Sequence, residues 1–157
     1  TNGAVPMGAT LVRGDIYQAF MEQGGPEYMV EFPHGYTYSA HPLACAAGLA
    51  ALELFEREHL VDWARELAPY FEEALHSLKG SELITDIRNI GLAGALQIAA
   101  WPGEPARRPW EIAMGCWQQG IYARYGGDTI QLGPSLVSRR EEIDRLVETL
   151  GRVIRTL

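Results

Sequence analysis

A loop in front of an alanine-rich segment holds the residue best suited to bind an anion. Thr37 lies in the run HGYTYS, residues 34–39, and Pro42 then suits the first position of a helix, because its missing amide hydrogen would be unpaired there. A hydroxyl and free backbone amides near a helix N-terminus favour a phosphate or carboxylate. A hydroxyl in such a turn also often caps neighbouring backbone. The residue types alone leave both roles open for Thr37.

Arg124 is the second candidate, as a carboxylate-binding residue. It lies between Tyr122 and Tyr125 and is followed by a glycine-rich bend that ends at Asp128. The planar guanidinium of arginine can hold a carboxylate through two parallel hydrogen bonds. Asp128 is also near enough in sequence to form an exposed ion pair with Arg124. From the sequence alone, these two interpretations have about equal support.

The other reactive residue types give no catalytic or metal-binding pattern. The single lysine, Lys79, precedes Gly80 at a predicted helix end, where a cation offsets the partial negative charge of the helix. Two cysteines, Cys45 and Cys116, lie far apart in apolar segments and predict buried thiols in a reducing compartment. The four histidines show no metal-ligand spacing. We therefore expect no metal site.

Several motifs occur in an order that resembles the class III pyridoxal-phosphate aminotransferases. They are TNGAVPMG at residues 1–8, HGYTYS with a following HP, DIRNIGL at residues 86–92, and GDT at residues 127–129. The resemblance is closest to the ω-amino acid:pyruvate (β-alanine:pyruvate) group and covers essentially the whole chain. In that family a run like Thr1–Gly3 follows the Schiff-base lysine. The resemblance therefore implies a C-terminal fragment that holds no catalytic residue and is inactive alone.

The resemblance also implies roles for individual residues. Thr37 matches the threonine that binds the cofactor phosphate across the dimer interface, and Tyr36 beside it is expected to contact the cofactor. Arg124 matches the arginine that binds the substrate carboxylate. Ala40 stands where glycine is commoner. The implied cofactor is pyridoxal 5'-phosphate, the implied substrates are an amino acid or amine donor and pyruvate, and the implied parent enzyme is a homodimer or dimer of dimers.

The fold that the resemblance implies is the α/β fold of the fold-type I pyridoxal-phosphate enzymes, with an α+β C-terminal domain. Residues 1–58 are expected to be the last part of the large cofactor-binding domain, and residues 59–157 the small domain. A charged run at Glu53–Glu58 marks the change in composition between them.

Hydrophobic spacing predicts the elements that hold these residues. A strand is expected over Met7–Val12, followed by a helix that Asp15 and Gln18 begin as a capping box. Further expected helices are Pro42–Glu58, Leu60–Leu78 with a kink at Pro69, Pro109–Gln119 and a last helix begun by Ser138 and Glu141, and further expected strands are Leu83–Ile90, Leu92–Ala100, Ile121–Tyr125 and Thr129–Leu132. From residue 59 this order predicts an α+β sandwich, with helices on one face of a mainly antiparallel sheet.

Charge and hydrophobicity exclude several classes of partner. The chain has 13 basic and 20 acidic side chains, which give a net charge of −7. An acidic chain without a basic cluster argues against nucleic acid and anionic membranes as partners. The longest weakly polar run, Pro42–Leu52, is shorter than the about 20 residues that cross a bilayer. We expect a cytoplasmic protein.

Two other interpretations stay open at this point. One is a non-catalytic α+β interaction domain that pairs with a full-length homologue. The chain could also come from another class III branch, such as the acetylornithine or diamine transaminases or the aminomutases. The first 58 residues argue against an independent module, which has no need of a phosphate loop. The surroundings of Arg124 favour the ω-amino acid branch.

Overall fold

Two helices, α1 (Gly14–Gln23) and α2 (Pro42–Arg57), provide the regular structure of the first part of the chain. The computed structural model describes residues 1–29 and 32–157 and divides them into two compact units, Thr1–Glu58 and His59–Leu157. The predicted helix that begins at Pro42 is confirmed, and α1 ends before Gly24 as expected. The predicted loop over residues 24–41 contains residues 30 and 31, which lie outside the described residues.

Two predictions for the first unit are wrong. Residues 7–12 form no strand, because a strand needs a hydrogen-bonded neighbour and this segment has none within the described residues. Asp15 does not cap α1 with Gln18, since the N-cap is Arg13 and the Asp15 carboxylate accepts hydrogen bonds from the Arg13 guanidinium. Gln18 instead donates a hydrogen bond of 3.0 Å to Glu22.

The second unit contains three helices and four strands. In chain order they are α3 (Leu60–His76), β1 (Ile84–Ile90), β2 (Ala93–Ile98), α4 (Arg107–Gln118), β3 (Arg124–Gly126), β4 (Thr129–Leu132) and α5 (Arg140–Ile154). The strands form one antiparallel sheet in the order β1-β2-β4-β3. The predicted order of elements and the antiparallel sheet are confirmed.

One face of the sheet packs against α3 and α4, and α5 packs against both of these helices. Alternate residues of a strand point to opposite faces, and the residues of β2 and β4 that point towards the helices are fully or almost fully buried. The core comprises Leu67, Phe71 and Leu75 of α3, Ile112, Ala113 and Cys116 of α4, Ile143, Val147, Leu150, Val153 and Ile154 of α5, Leu96 and Ile98 of β2, Ile130 and Leu132 of β4, and Ala123 before β3. Burying this apolar surface is what stabilises the unit.

Several boundaries in the second unit differ from the sequence prediction, and α4, for example, begins at Arg107 rather than at Pro109. Helix α5 begins one residue later than expected, with Arg139 as the N-cap, whose amide donates a hydrogen bond of 2.8 Å to the Glu142 carboxylate. Ser138 cannot cap the helix, because its hydroxyl pairs with the Ser135 hydroxyl at 3.1 Å. Strand β3 covers only Arg124–Gly126, which is shorter than the predicted Ile121–Tyr125.

Candidate functional site

A tight turn precedes α2 at the position of the predicted anion loop. The Ser39 amide donates a hydrogen bond of 2.9 Å to the Tyr36 carbonyl, and the Tyr36 amide donates one of 3.0 Å to the Ser39 hydroxyl. Ala40 then has a φ of 55°, in the left-handed region that costs an alanine more than a glycine. This conformation explains why glycine suits the position that Ala40 occupies. Pro42 follows as the first residue of α2.

Thr37 is exposed at the tip of this turn. Its hydroxyl has no hydrogen-bond partner within residues 1–29 and 32–157, while the hydroxyl of Ser39 satisfies the backbone of the turn. The local capping role that the sequence left open for Thr37 therefore belongs to Ser39. The Thr37 hydroxyl is available to a ligand.

A cavity of about 510 Å³ brings two of the sequence motifs together within the first unit. The N-terminal motif contributes Val5, Pro6, Met7 and Gly8, and the second motif with the start of α2 contributes Tyr36, Tyr38, Ser39, Ala40, His41, Ala44 and Cys45. The rings of Tyr38 and His41 lie 6.2 Å apart at 60°. Tyr36 lines this cavity, whereas Thr37 is outside its lining residues.

Arg124 lies on the face of the sheet that points away from the helices of its unit. It pairs with Gln131 of β4, which pairs with Ala95 of β2, which pairs with Arg88 of β1. Directly paired residues of antiparallel strands share a face, and the neighbour Tyr125 pairs instead with the buried Ile130. We call this second face, which carries Arg88, Ala95, Gln97, Arg124, Thr129 and Gln131, the open face.

The carboxylate of Asp128 is bound by groups other than Arg124. The Gln97 amide donates a hydrogen bond of 3.0 Å to Oδ2, and the Thr129 hydroxyl donates one of 2.9 Å to Oδ1. These two hydrogen bonds, Gln97 first, lower the pKa of Asp128, and the charge of Arg88 adds to the effect. Among the described residues Arg124 has no ion pair, so the guanidinium remains available for a carboxylate ligand.

Aromatic side chains surround a smaller cavity that Arg124 borders. It has a volume of about 310 Å³ and is lined further by Ala113, Met114, Trp117, Tyr122, Ala123 and Tyr125. Trp117 and Tyr122 meet edge to face, with ring centroids 6.3 Å apart. Arg124 borders this cavity from the strand, whereas its pairing with Gln131 places its side chain on the open face, on the side of the sheet opposite to α4.

The remaining candidates of the sequence carry no ligand-binding geometry. Lys79 is exposed beyond the end of α3, in a cavity that also contains Arg155, and the described residues contain no cluster of three metal-ligating side chains. Burial raises the pKa of the Cys116 thiol to about 11. In the described part of the chain, none of the helices is both long and hydrophobic enough to span a bilayer.

Sequence reasoning missed Gln97. Among the described residues, Gln97 is connected to the candidate site by its side-chain hydrogen bond to Asp128, 31 residues away, and this contact depends on the pairing of β2 with β4. No local motif in the sequence reveals that pairing.

Comparison with known proteins decides the family. The sequence profile of the aminotransferase class III family matches residues 1–154. The chain belongs to the class III aminotransferases. The predictions of the family and of the α/β fold are therefore confirmed.

Within this family, the chain is similar to several individual aminotransferases. The chain is 57% identical to a β-alanine–pyruvate aminotransferase of Pseudomonas aeruginosa, over 98% of this chain and 34% of that protein. It is 56% identical to an ω-amino acid–pyruvate aminotransferase of Pseudomonas putida, over 100% of this chain and 35% of that protein. A solved amine transaminase from an uncultivated Pseudomonas species, in its PLP-bound form, matches with a TM-score of 0.87 and 33% identity, over 98% of this chain and 36% of that one. The chain thus spans about a third of the length of these relatives.

Proposed function

We propose that this chain is part of an aminotransferase that moves an amino group from an ω- or β-amino acid, or an amine, to pyruvate. The observation that carries the proposal is the identity of 57% and 56% to β-alanine–pyruvate and ω-amino acid–pyruvate aminotransferases along the whole chain. More distant γ-aminobutyrate transaminases also match, at 32% identity for the tomato enzyme. The difference in identity favours the ω-amino acid:pyruvate branch over other class III branches.

The proposed cofactor is pyridoxal 5'-phosphate. Bound in an enzyme, this cofactor takes up the amino group of the donor and passes it to the keto acid. The free hydroxyl of Thr37, in a turn just before the N-terminus of α2, suits the phosphate group. Tyr36 is the proposed second contact, from the neighbouring cavity. The exposed Lys79 does not suit the lysine that bonds the cofactor, because it lies at the surface beyond the end of α3 rather than in an enclosed site.

Arg124 is the proposed substrate-binding residue. Its guanidinium would hold the carboxylate of a β- or ω-amino acid, or of pyruvate, through two hydrogen bonds. Such an anchor fixes where the amine of the substrate lies, and this positioning accelerates a reaction between bound partners. The absence of an ion pair at Arg124 within the described residues supports this role.

The proposed placement of the chain in the whole enzyme follows the two units. Thr1–Glu58 would belong to the large cofactor-binding domain, and His59–Leu157 would form the small domain. The first unit buries only Ala44 among its described residues, and many of its large apolar side chains, such as Leu11, Leu49 and Leu52, are exposed. Surfaces of this kind mark contacts with further protein. They suit contacts with the rest of the enzyme or with a second subunit, and argue against a stand-alone interaction domain. For the whole enzyme the proposal is a homodimer or dimer of dimers in the cytoplasm.

Steady-state kinetics on the full-length protein that contains this chain test the proposal. We expect alanine to form from pyruvate with β-alanine as the donor, in a reaction that requires pyridoxal phosphate. Arg124→Gln should raise the KM for β-alanine about 10- to 150-fold, since a hydrogen bond to a charged group contributes about 1.5–3 kcal/mol.

Arg65→Gln is the matched control, because Arg65 is an exposed arginine of the same unit that pairs only with Asp62. It should leave the KM unchanged. The proposed reaction is wrong if the full-length protein forms no alanine from β-alanine and pyruvate. The proposed role of Arg124 is wrong if both arginine variants have the wild-type KM.

A further inference from the structure

Arg124 and Asp128 belong to one hairpin, and their charges are opposite. The hairpin joins β3 to β4, with Gly126 paired to Thr129 and Arg124 paired to Gln131. Arg124 lies on the open face, and the Asp128 side chain reaches the same face, where Gln97 holds it. An arginine and an aspartate on one face of a short hairpin are positioned to attract each other. The structure nevertheless does not pair them: Gln97 and Thr129 bond Asp128, and Arg124 has no ion pair among the described residues.

Gln97 is the residue from outside the hairpin that bonds the Asp128 side chain. It lies on β2 opposite Thr129, so its side chain is on the open face beside the turn. Its amide supplies one hydrogen bond to the carboxylate, and Thr129 supplies the other. Both donors are neutral, so they satisfy the Asp128 carboxylate without cancelling its charge. The carboxylate remains an ionised competitor for Arg124 that is held in place.

The turn itself does not depend on the Gln97 side chain. The Ile98 amide of β2 donates a hydrogen bond of 2.8 Å to the Asp128 carbonyl, and the ladder between β2 and β4 continues from Gln97 to Gly94. The buried residues Ile130 and Leu132 fix the position of β4 on the core. Replacing the Gln97 side chain therefore removes one of the two hydrogen bonds that restrain the carboxylate, and leaves the backbone of the hairpin supported.

We propose that Gln97 is a positioning residue that holds the Asp128 carboxylate away from Arg124, so that the guanidinium stays free for the carboxylate of the substrate. This inference rests on the proposed function of Arg124. When Gln97 is lost, Asp128 pairs with Arg124 and competes with the substrate. Competition of this kind weakens substrate binding, and saturating substrate overcomes it. The effect therefore falls on KM and leaves kcat close to its wild-type value.

The test is a double-mutant cycle in the full-length enzyme with β-alanine and pyruvate. Gln97→Met keeps the length of the side chain and removes its hydrogen-bond donor. We expect it to raise the KM for β-alanine about tenfold, the equivalent of one hydrogen bond to a charged group, with little change in kcat. Asp128→Asn should leave the KM near the wild-type value. The double variant should also return to it, because it contains no competing carboxylate.

A merely structural role for Gln97 gives a different pattern. If Gln97 only stabilised the hairpin, Asp128→Asn would not rescue Gln97→Met, and kcat would fall together with the apparent affinity. Thr129→Val is the second variant, since it removes the other donor to Asp128, and it should raise the KM in the same direction. Thr85→Val is the control, because it removes a hydrogen bond to the backbone carbonyl of Gln97 and leaves the side chains of Gln97, Asp128 and Arg124 unchanged.

Failure of this inference is distinguishable from failure of the proposed function. A wild-type enzyme that does not transaminate β-alanine, or an Arg124→Gln variant with an unchanged KM, overturns the proposed function and this inference with it. An active wild type with a raised KM in Arg124→Gln, but an unchanged KM in Gln97→Met and Thr129→Val, overturns only the role of Gln97. A raised KM that Asp128→Asn does not rescue also overturns it.

Discussion

Replacing Gly94 with alanine is expected to destabilise the second unit. Gly94 lies on β2 and faces α3, and a Cβ built on it would be 2.7 Å from Leu75 Cδ2 and 2.9 Å from Phe71 Cζ. Carbon atoms in contact are normally about 3.5–4.0 Å apart. Phe71 and Leu75 are both fully buried, so neither ring nor methyl group can move into solvent. The strand or the helix has to shift by about 1 Å, as these distances require.

The size of the effect follows from two opposing contributions. Overpacking a well-packed core costs about 1–3 kcal/mol. Replacing a glycine by alanine also restricts the unfolded chain, which stabilises the folded state by about 0.4–1 kcal/mol. The expected net loss in the free energy of unfolding is therefore about 1–2 kcal/mol. For chains of this size the corresponding fall in Tm is roughly 2–8 °C.

Urea unfolding of the 157-residue chain, followed by circular dichroism, measures this loss. Gly133→Ala is the matched control, because a Cβ there meets no atom within 4 Å and the φ of Gly133 is not in the left-handed region. It should change the free energy of unfolding by less than about 0.5 kcal/mol. A Gly94→Ala chain as stable as the Gly133→Ala chain would refute the packing argument.

Two further predictions concern titrating groups of the same unit. The Tyr70 hydroxyl donates a hydrogen bond of 2.5 Å to Asp144, which is the main cause that raises the pKa of Tyr70 above 10.0. The folded state thus holds this proton more tightly, so the stability that it adds is present below pH 10 and is lost as the pH rises through the folded pKa. In urea unfolding, the free energy of unfolding of the wild type should exceed that of Tyr70→Phe by less above pH 10 than below it. A difference in the free energy of unfolding that does not change with pH would contradict this reasoning. For the cysteines, the fully buried Cys116 thiol, with a pKa of about 11, should react with a thiol reagent only after unfolding. The half-buried Cys45 should react in the folded chain. Mass spectrometry distinguishes the two sites, and equal reaction rates at both would contradict the predicted protection of Cys116.

The order of elements in the second unit could be predicted because each element carries its own periodic pattern. The apolar positions of α3, α5 and the strands repeat at helical or alternating spacing, and burial follows the same positions. Residues 7–12 show the limit of such patterns. Their composition favours a strand, but a strand also requires a hydrogen-bonded neighbour, and local sequence cannot supply one.

The capping error at α5 has a similar cause. Ser138 is a better N-cap by residue type than Arg139. However, its hydroxyl pairs with Ser135, and its carbonyl accepts a hydrogen bond of 2.9 Å from the Trp63 indole, 75 residues away. These contacts fix Ser138 outside the helix. A preference measured on isolated residues cannot include a partner that distant.

The candidate site could also be predicted only in part from the sequence. Thr37 and Arg124 could be found because each belongs to a local motif with recognisable neighbours. Whether each side chain is free could not be decided from residue types alone. For Thr37 the answer depends on Ser39 taking the capping role, and for Arg124 on Gln97 bonding Asp128 from another strand. The residue types indicate which ligand each side chain could bind, whereas the turn contacts and the strand register decide whether the side chain is free to bind it.

The core of the second unit also decides where Arg124 points. Ile130 and Leu132 bury their side chains on the helix-facing side of the sheet, and this fixes which residues of β4 face outward. Since β3 pairs with β4 in one register, Arg124 must lie opposite the outward-facing Gln131. A slip of one residue in this hairpin would turn Arg124 towards the core and Tyr125 away from it. The apolar side chains that stabilise the sheet therefore also present the guanidinium on the open face, although they never contact it.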